Sequence, residues 1–373
     1  MLFRSIEFGA GSNSRNPVWG ATGNPFNPML NAGGSSGGSA VALACDMLPV
    51  CTGSDTGGSL RIPAAICGVV GFRPSPGMVP VERRPFGWTP ISVVGPMGRS
   101  VADTCLLFAA QAGIDDCDPL SYPLDAAALA VPQPADPSAL RVAFTEDFGV
   151  CPVQTDIRKV FRARIAAMRH LFRRCDEVQF DFGEAHRCFD VVRAVGYVGR
   201  YQEAYTTDPA SLGPNIRANY EIGAGMSLAD FAWAHMEQTR LFRVFQQTFR
   251  DYDLVLAPTT PVSPFPWSQL YLEELDGKPL RNYYHWLALT YVTTLVTNPA
   301  IAIPCGTDHQ GMPFGLQIVG AFRADRKLLG AAHALEQAFA AIPGLQRPVP
   351  DLQRLQKPVP ELKSIVTHPP QLA

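Results

Sequence analysis

Two serine-containing glycine clusters carry the residue types with which a protein could perform acyl transfer. The first cluster spans residues 33–40, the second spans residues 53–64, and their central serines, Ser35 and Ser59, are 24 positions apart. Glycine lacks a Cβ and tolerates unusual backbone conformations, so N–H groups in such loops can approach a reacting atom closely. A serine becomes nucleophilic when a neighbouring group accepts its proton. The pairing therefore predicts acyl transfer through serine.

Three other interpretations of these glycines are weaker. Residues 33–37 fit the Gly-x-Ser-x-Gly turn of another hydrolase fold, but Pro25 and Pro28 exclude a central strand leading into that turn. A phosphate-binding loop would end in Gly-Lys-Ser/Thr, which is absent from the first cluster. Surface turns are the ordinary role of a lone glycine cluster, whereas two serine-bearing clusters at this spacing favour catalysis.

The stretch from Asn31 to Pro74 resembles the signature of the amidase signature family, serine hydrolases that cleave carboxylic amides with a Ser–Ser–Lys triad. Weaker similarity continues toward the C terminus, through residues 94–97, 256–261, 298–304 and 314–320. The resemblance thus covers most of the chain. It implies hydrolysis of an amide C–N bond to an acid plus ammonia or an amine, through an acyl-enzyme.

The resemblance also assigns roles to individual residues of the two clusters. It implies that Ser59 is the nucleophile, that Ser35 is the bridging serine that relays its proton, and that the Gly34–Ser35 peptide bond is cis. The oxyanion hole, which would bind the anionic tetrahedral intermediate, is implied to consist of Thr56, Gly57, Gly58 and Ser59.

Three further polar residues of the signature are predicted to support this site. Arg61 is expected to tie the loop to neighbouring backbone or carboxylate groups, and Asp55 to orient the loop through its carboxylate. Ser36 is expected to support the bridging serine or to cap the helix that begins near Ser39. None of the three is expected to react with substrate.

The family lysine that acts as ultimate base has no counterpart in this sequence. In the family it lies upstream of the first cluster, whereas the first lysine here is Lys159. Residues 7–10 already resemble the segment shortly before the signature. The expectation is an N-terminally truncated chain that is an inactive fragment of an amidase. A histidine base is the alternative, and His285 is its least implausible candidate, with aromatic neighbours Tyr283, Tyr284 and Trp286.

Composition predicts a cytoplasmic enzyme without metal or cofactor. A net charge of −2 gives no electrostatic footprint for nucleic acid or for an anionic membrane. The nine cysteines are odd in number and contain no Cys-x-x-Cys, which favours a reducing compartment. No two of the seven histidines have a metal-ligand spacing. The expected partner is a small-molecule amide, and a homodimer is a further hypothesis.

Short apolar strands alternate with amphipathic helices, which predicts an α/β layered fold. The resemblance implies a mixed central sheet with helices on both faces and with its N-terminal part missing. One domain is predicted over residues 1–347, followed by a proline-rich tail over 348–373. The predicted strands are 50–54, 69–72, 93–97, 141–145, 254–257, 300–304 and 314–319. The predicted helices are 100–112, 154–175, 186–207, 227–249 and 326–339.

Aromatic residues concentrated in the middle of the chain are the candidate substrate lining. They are Tyr197, Tyr201, Tyr205, Trp233, Tyr283, Tyr284, His285 and Trp286, and core packing is their ordinary role. The arginines are scattered along the chain and mark no site for a charged substrate. A small apolar or aromatic amide is therefore the preferred substrate. The alternatives are the glutamine-hydrolysing component of a tRNA-dependent amidotransferase and a non-catalytic binding fragment.

Overall fold

The computed structural model describes residues 11–16, 20–82, 84, 86–269 and 271–355. The strands of this part are β1 (Arg15–Asn16), β2 (Gly20–Ala21), β3 (Val50–Asp55), β4 (Val70–Arg73), β5 (Val93–Gly98), β6 (Arg141–Phe144), β7 (Arg174–Glu177), β8 (Leu254–Pro258), β9 (Glu274–Leu275), β10 (Lys278–Pro279), β11 (Ala300–Thr307) and β12 (Pro313–Gly320). The α-helices are α1 (Gly37–Ala44), α2 (Arg61–Cys67), α3 (Val101–Gln111), α4 (Thr155–Met168), α5 (Ala185–Thr207), α6 (Pro214–Ala224), α7 (Leu228–Asp251), α8 (Ala288–Leu295), α9 (Asp325–Ala341) and α10 (Leu352–Leu355).

Eight of the strands form one mixed sheet in the order β3-β5-β4-β11-β12-β8-β6-β7. Neighbours from β3 to β8 run antiparallel, whereas β6 is parallel to both β8 and β7. The central strands β11 and β12 are almost entirely buried, as expected for strands covered on both faces. The predicted mixed sheet is confirmed.

Alternation along β11 shows that helices cover both faces of the sheet. Ala302 packs in the cluster formed by α1 and α2, whereas Ile301 and Ile303 pack in the larger cluster that contains Leu328 of α9. Because neighbouring side chains of a strand point to opposite faces, α2 and α9 lie on opposite sides of the sheet. The signature residues of β3 therefore belong to a strand of this sheet, and those of α2 belong to a helix that packs on it.

The predicted elements agree with the structure except at one helix end. All seven predicted strands are present, and so are four of the five predicted helices. At the start of α7, Ser227 and Asp230 form a reciprocal capping box. The helix predicted over 154–175 is wrong at its end, because α4 stops at Met168 and Cys175 lies in β7. Pairing of β7 with β6 overrides the local helical pattern.

The N-terminal similarity at residues 7–10 and most of the predicted tail lie outside the described residues. The domain bounds of 1–347 and 348–373 stay predictions. Within the described part of the chain, no helix combines the length and the apolar character needed to cross a membrane.

Candidate active site

The loop that carries Ser35 is fixed by residues distant in the sequence. The Asn31 side chain donates to the carbonyl oxygen of Phe265 at 2.8 Å and accepts from the N–H of Gly33 at 3.0 Å. The Ser14 hydroxyl donates to the carbonyl oxygen of Ser35 at 3.2 Å. These side chains are buried, so their hydrogen bonds hold the loop without competition from water.

The two serine clusters meet at one cavity. The N–H of Ser36 donates to the carbonyl oxygen of Ser59 at 3.3 Å, and Ser35 and Ser59 both line the cavity. The Gly34–Ser35 peptide bond is cis, as the resemblance implied. Ser36 occupies the N-cap position of α1 without a capping bond from its side chain, so its predicted alternative role as a helix cap is wrong. Its hydroxyl instead accepts from the N–H of Ser54 at 3.3 Å and joins the two loops.

The Asp55 carboxylate fixes the loop on both sides of Ser59. It is fully buried and accepts from the N–H of Gly58 at 2.9 Å and from the N–H of Leu60 at 3.3 Å. These two N–H groups flank Ser59 directly, so the carboxylate sets the backbone conformation at the serine. The structure thus places Asp55 where the sequence prediction needs it.

Two buried arginines neutralise Asp55. Arg61 binds the carboxylate through Nε at 3.0 Å and Nη2 at 2.9 Å, and Arg73 binds the Asp55 carbonyl oxygen at 2.5 Å and Oδ1 at 3.3 Å. Burial raises the pKa of Asp55, but attraction to both guanidinium groups outweighs it and lowers the pKa from 3.8 to about 2. Burial lowers the pKa of Arg73 to about 10, so it stays protonated at neutral pH.

Sequence reasoning predicted Arg61 but missed Arg73. Arg61 also reaches α8 and β12, with bonds to Thr293, Gln317 and Thr294. Arg73 is the last residue of β4 and is completely buried. The signal that could have found it is an arginine at the end of an apolar strand inside the signature, because a buried arginine requires a partner.

The N–H groups around Ser59 divide into bonded and free donors. The N–H of Gly58 is bonded to the carboxylate described above, and the Thr290 hydroxyl donates to the carbonyl oxygen of Gly57 at 2.6 Å. Within the part of the chain that the structure describes, the N–H groups of Thr56, Gly57 and Ser59 have no acceptor. All three residues line the cavity. Of the four residues predicted to form an oxyanion hole, these three have donors free to bind a ligand.

The cavity has a volume of about 440 Å³ and two sides of different origin. One side, the floor, is formed by Ser35 and by the segment 54–61, of which Ser54, Thr56, Gly57 and Ser59 line the cavity. The other side, the wall, is built by one face of α5 together with Tyr283 and Tyr284. The α5 residues of the wall follow the three- and four-residue spacing of a helix face: Phe189, Val192, Arg193, Val195, Gly196, Tyr197, Arg200 and Tyr201.

Half of the predicted aromatic lining reaches the cavity. Tyr197, Tyr201, Tyr283 and Tyr284 line it, whereas the other four residues do not. Tyr205 stacks on Tyr220, Trp233 lies against the Arg187 guanidinium, Trp286 is buried and donates to the Ser12 hydroxyl, and His285 packs against His186. For these four residues, packing is the role that the structure shows.

The structure does not place His285 in the cavity that Ser59 lines. Its Nδ1 accepts from the N–H of Arg281 at 3.1 Å, and its ring lies edge-on to His186 at 4.6 Å. Burial, together with His186 and Arg281, lowers the pKa of His285 to about 4, so the ring is neutral at pH 7. His235 does line the cavity, where it packs edge-on against Phe231.

The described lysines lie away from the cavity. Lys159 pairs with Asp156 on α4 at 2.9 Å, Lys278 is an exposed residue of β10, and Lys327 is an exposed residue of α9. None of these three lines the cavity. The described part of the chain therefore places no lysine at Ser35.

One group of side chains has the geometry to approach a metal ion. The ligand atoms of Asp115, Asp116 and Cys117 lie within 4.8 Å of one another. Two of these residues are exposed, and none lines the cavity. Exposed acidic groups of this kind are common in proteins without a metal, so the group indicates no metal centre.

Three arginines that look scattered in the sequence meet at the cavity. They are Arg84, Arg193 and Arg200, and the last two lie on the same face of α5. These three arginines are therefore not scattered in the fold, although they are far apart in the sequence. The spacing of seven residues within the predicted helix 186–207 was the signal for this convergence.

The signature geometry agrees with the comparison to known proteins. A family model described as Amidase matches residues 5–329. The chain belongs to the amidase family. The predicted resemblance is confirmed, and with it the class of amide hydrolases, whose members act on small amide substrates.

Relatives of this amidase-family chain include enzymes with different stated substrates. It is 31% identical over 355 residues to the A component of the glutamyl-tRNA(Gln) amidotransferase of Picosynechococcus sp., covering 88% of this chain and 72% of the relative. It is 31% identical over 337 residues to an acylamidase of Rhodococcus erythropolis, covering 87% and 69%. A bacterial aryl acylamidase structure matches with a TM-score of 0.81 and 28% identity over 90% of this chain and 71% of that one.

Proposed function

We propose that this chain hydrolyses small linear amides through an acyl-enzyme on Ser59. The observation that carries the proposal is the meeting of two serine loops at one cavity, joined by the bond from Ser36 to Ser59. Thr56, Gly57 and Ser59 line the same cavity, and their N–H groups have no acceptor among the described residues. Such fixed donors stabilise the anionic oxygen of a tetrahedral intermediate.

In the proposed reaction the Ser59 hydroxyl attacks the amide carbonyl carbon and transfers its proton to the Ser35 hydroxyl. Ser35 in turn donates its own proton to the amide nitrogen. The carbonyl oxygen becomes an oxyanion and accepts from the free N–H groups. The C–N bond then breaks, and the nitrogen leaves as ammonia or amine with the relayed proton. Water attacks the resulting ester, releases the acid and restores Ser59.

The proton relay limits the proposed rate. A serine hydroxyl is a weak proton acceptor, and the described lysines lie outside the cavity. A serine hydrolase that has lost its proton acceptor keeps roughly 10³- to 10⁴-fold acceleration over water from its oxyanion hole and binding site. We therefore expect very slow turnover by this chain.

The proposed substrate has an apolar or aromatic body. Phe189, Val192 and the four cavity tyrosines give the wall its surface, and such linings suit apolar ligands. A second candidate is glutamine hydrolysis, favoured by the similarity to the amidotransferase component of Picosynechococcus sp.. A protein of that kind would also have macromolecular partners.

A parallel amide assay tests the proposed reaction. Ammonia release from benzamide, butyramide and glutamine is measured for the wild type, for Ser59→Ala and for Ser39→Ala. Ser39 is the matched control, because it belongs to the same cluster as Ser35 and does not line the cavity. We expect slow release from benzamide or butyramide that is absent in Ser59→Ala and unchanged in Ser39→Ala.

Other outcomes of this assay separate the alternatives. Release from glutamine alone would favour the amidotransferase component over a stand-alone amidase. Equal background release by the wild type and by Ser59→Ala would contradict catalysis and favour a binding protein.

A cytoplasmic location is part of the proposal. All nine cysteines are free, and seven of them are buried, where they act as small apolar side chains. Free thiols are typical of a reducing compartment. A homodimer stays a prediction, which the molar mass in solution would test.

A further inference from the structure

Arg193 places a buried positive charge in the wall of the cavity. The residue is 9% exposed and lies on α5. Its Nη2 donates to the hydroxyls of Tyr283 at 2.6 Å and Tyr197 at 3.1 Å, and its Nη1 donates to the Asn219 side-chain oxygen. All three partners are neutral. A guanidinium has five N–H donors, so two remain unused among the contacts of the described residues.

No carboxylate of the described residues forms an ion pair with Arg193. The guanidinium lies 4.5 Å from the centre of the Tyr284 ring, and the Tyr284 hydroxyl donates to Asp190 at 2.6 Å. Asp190 is itself paired with Arg281 at 2.9 Å. Burying a charge without a counterion is costly, so this arrangement differs from that of an ordinary structural arginine.

The remaining charges of the cavity have the same sign. Arg84 is paired with Asp118 at 3.4 Å, and Arg200 is exposed and lies over the Tyr201 ring. Among the described residues that line the cavity, none is an aspartate or a glutamate. The whole chain carries a net charge of −2, so the charge of the cavity is opposite in sign to that of the chain. A positive, partly enclosed cavity attracts anions.

We propose that the substrate carries a carboxylate that binds Arg193 while its amide group lies at Ser59. This inference rests on the proposed function and names its substrate class: an amide with an apolar or aromatic middle and an anionic end. A guanidinium with an unused N–H donor binds a carboxylate through opposite charge and a charge-assisted hydrogen bond. The aromatic rings beside Arg193 contact the middle of such a molecule.

A binding experiment tests this substrate class without requiring turnover. Titration calorimetry uses the Ser59→Ala protein and the ω-amido carboxylates from malonamate to adipamate. Each anion is compared with a neutral isostere in which an isopropyl group replaces the carboxylate, such as 5-methylhexanamide for glutaramate. We expect at least one anion to bind about 10- to 100-fold more tightly than its isostere, as for a charge-assisted hydrogen-bonded pair.

Substitutions on α5 show whether Arg193 is responsible. Arg193→Met in the same background should bring the anion and its isostere to equal affinity, and Arg193→Lys should restore part of the difference. Arg187→Met is the matched control, because Arg187 lies on the same helix and stacks on Trp233 but pairs with Asp230 outside the cavity. A purely structural arginine would weaken both ligands together, so the ratio of the two affinities is the readout.

The proposal is overturned if no anion of the series binds more tightly than its isostere, or if Arg193→Met leaves the ratio unchanged. Absence of binding by every anion also overturns it. Those results would leave the assignment of Ser59 intact, because covalent labelling of Ser59 tests that assignment separately.

Discussion

The floor and the wall of the cavity each contain a buried arginine, and the two arginines differ in their partners. Arg61 in the floor binds the Asp55 carboxylate through two nitrogens, whereas Arg193 in the wall has only neutral partners among the described residues. In the floor, Arg61 and Arg73 share the Asp55 carboxylate as their counterion, and this network fixes the loop that carries Ser59. The wall keeps a positive charge available to a ligand. In our proposal, the floor positions the reacting groups and the wall selects the substrate.

The largest effect is expected from removing the floor's carboxylate. Asp55→Asn leaves Arg61 and Arg73 buried without a counterion, and breaking a buried pair in this way costs about 3–5 kcal/mol. Chemical denaturation of the wild type and the variant measures this loss. Asp115→Asn, at a partly exposed position, serves as the control and should change stability by less than about 0.5 kcal/mol. A loss at Asp55 no larger than that of the control would contradict the stabilising role of this buried ion-pair network.

Gly58→Ala should damage the floor at its most restricted position. Gly58 has a φ of +120°, and an added Cβ would lie 2.2 Å from the Thr290 hydroxyl oxygen. Since Thr290 also holds the Gly57 carbonyl, the added methyl group would displace the N–H donors around Ser59. We expect about a 10²- to 10³-fold slower reaction of Ser59 with a fluorophosphonate, comparable to the loss of an oxyanion donor. Unchanged labelling would show that this loop conformation is not required.

Low pH should reduce the contribution of the floor to the free energy of unfolding and leave the contribution of Arg193 in the wall unchanged. The folded-state pKa of Asp55 is lowered from 3.8 to about 2, so its contribution to stability is complete above pH 3.8 and is lost as the pH falls through 2. The free energy of unfolding of the wild type should therefore decrease between pH 4 and pH 2, and Asp55→Asn should lack this part of the decrease. Arg193→Met should retain it, because no carboxylate pairs with Arg193 among the described residues. Urea denaturation at several pH values measures the difference.

The smallest expected effect has the opposite sign. Gly196 lies within α5 and lines the cavity, and an added Cβ would meet no atom within 4 Å. Gly196→Ala should therefore stabilise the fold by about 0.5–1 kcal/mol, because alanine loses less backbone entropy in a helix. Gly223→Ala on α6 is the contrasting variant, since its Cβ would lie 2.6 Å from Val198, and it should destabilise the protein. Destabilisation by Gly196→Ala would show that the wall is more tightly packed than described.

The sequence predicted more of the floor than of the wall, because the floor residues lie close together in the sequence. Ser35, Asp55, Ser59 and Arg61 lie within one continuous signature, so their roles could be inferred before any long-range contact was known. Arg73 completes the same network from a strand end, and its need for a partner becomes visible only with its burial. The wall assembles α5 with residues more than 80 positions away, as in the bond from Arg193 to Tyr283.

Aromatic residues that are close in the sequence also differ in their surroundings, which the sequence alone did not predict. Tyr284 and Trp286 are two positions apart, yet Tyr284 lines the cavity and Trp286 packs in the core against Phe265. They meet different surroundings because a 3₁₀ turn begins at His285. The end of α4 at Met168 likewise follows from the pairing of β7 with β6, which no local pattern encodes.

The central claim is that Ser59 is the nucleophile of this cavity, and mass spectrometry after fluorophosphonate labelling tests it most directly. Trypsin leaves residues 16–61 as one peptide that contains both Ser35 and Ser59, so fragmentation must locate the adduct. We predict slow formation of an adduct on Ser59 and none in Ser59→Ala. An adduct on another serine, equal labelling of Ser59→Ala, or no adduct at Ser59 after prolonged incubation would contradict the claim.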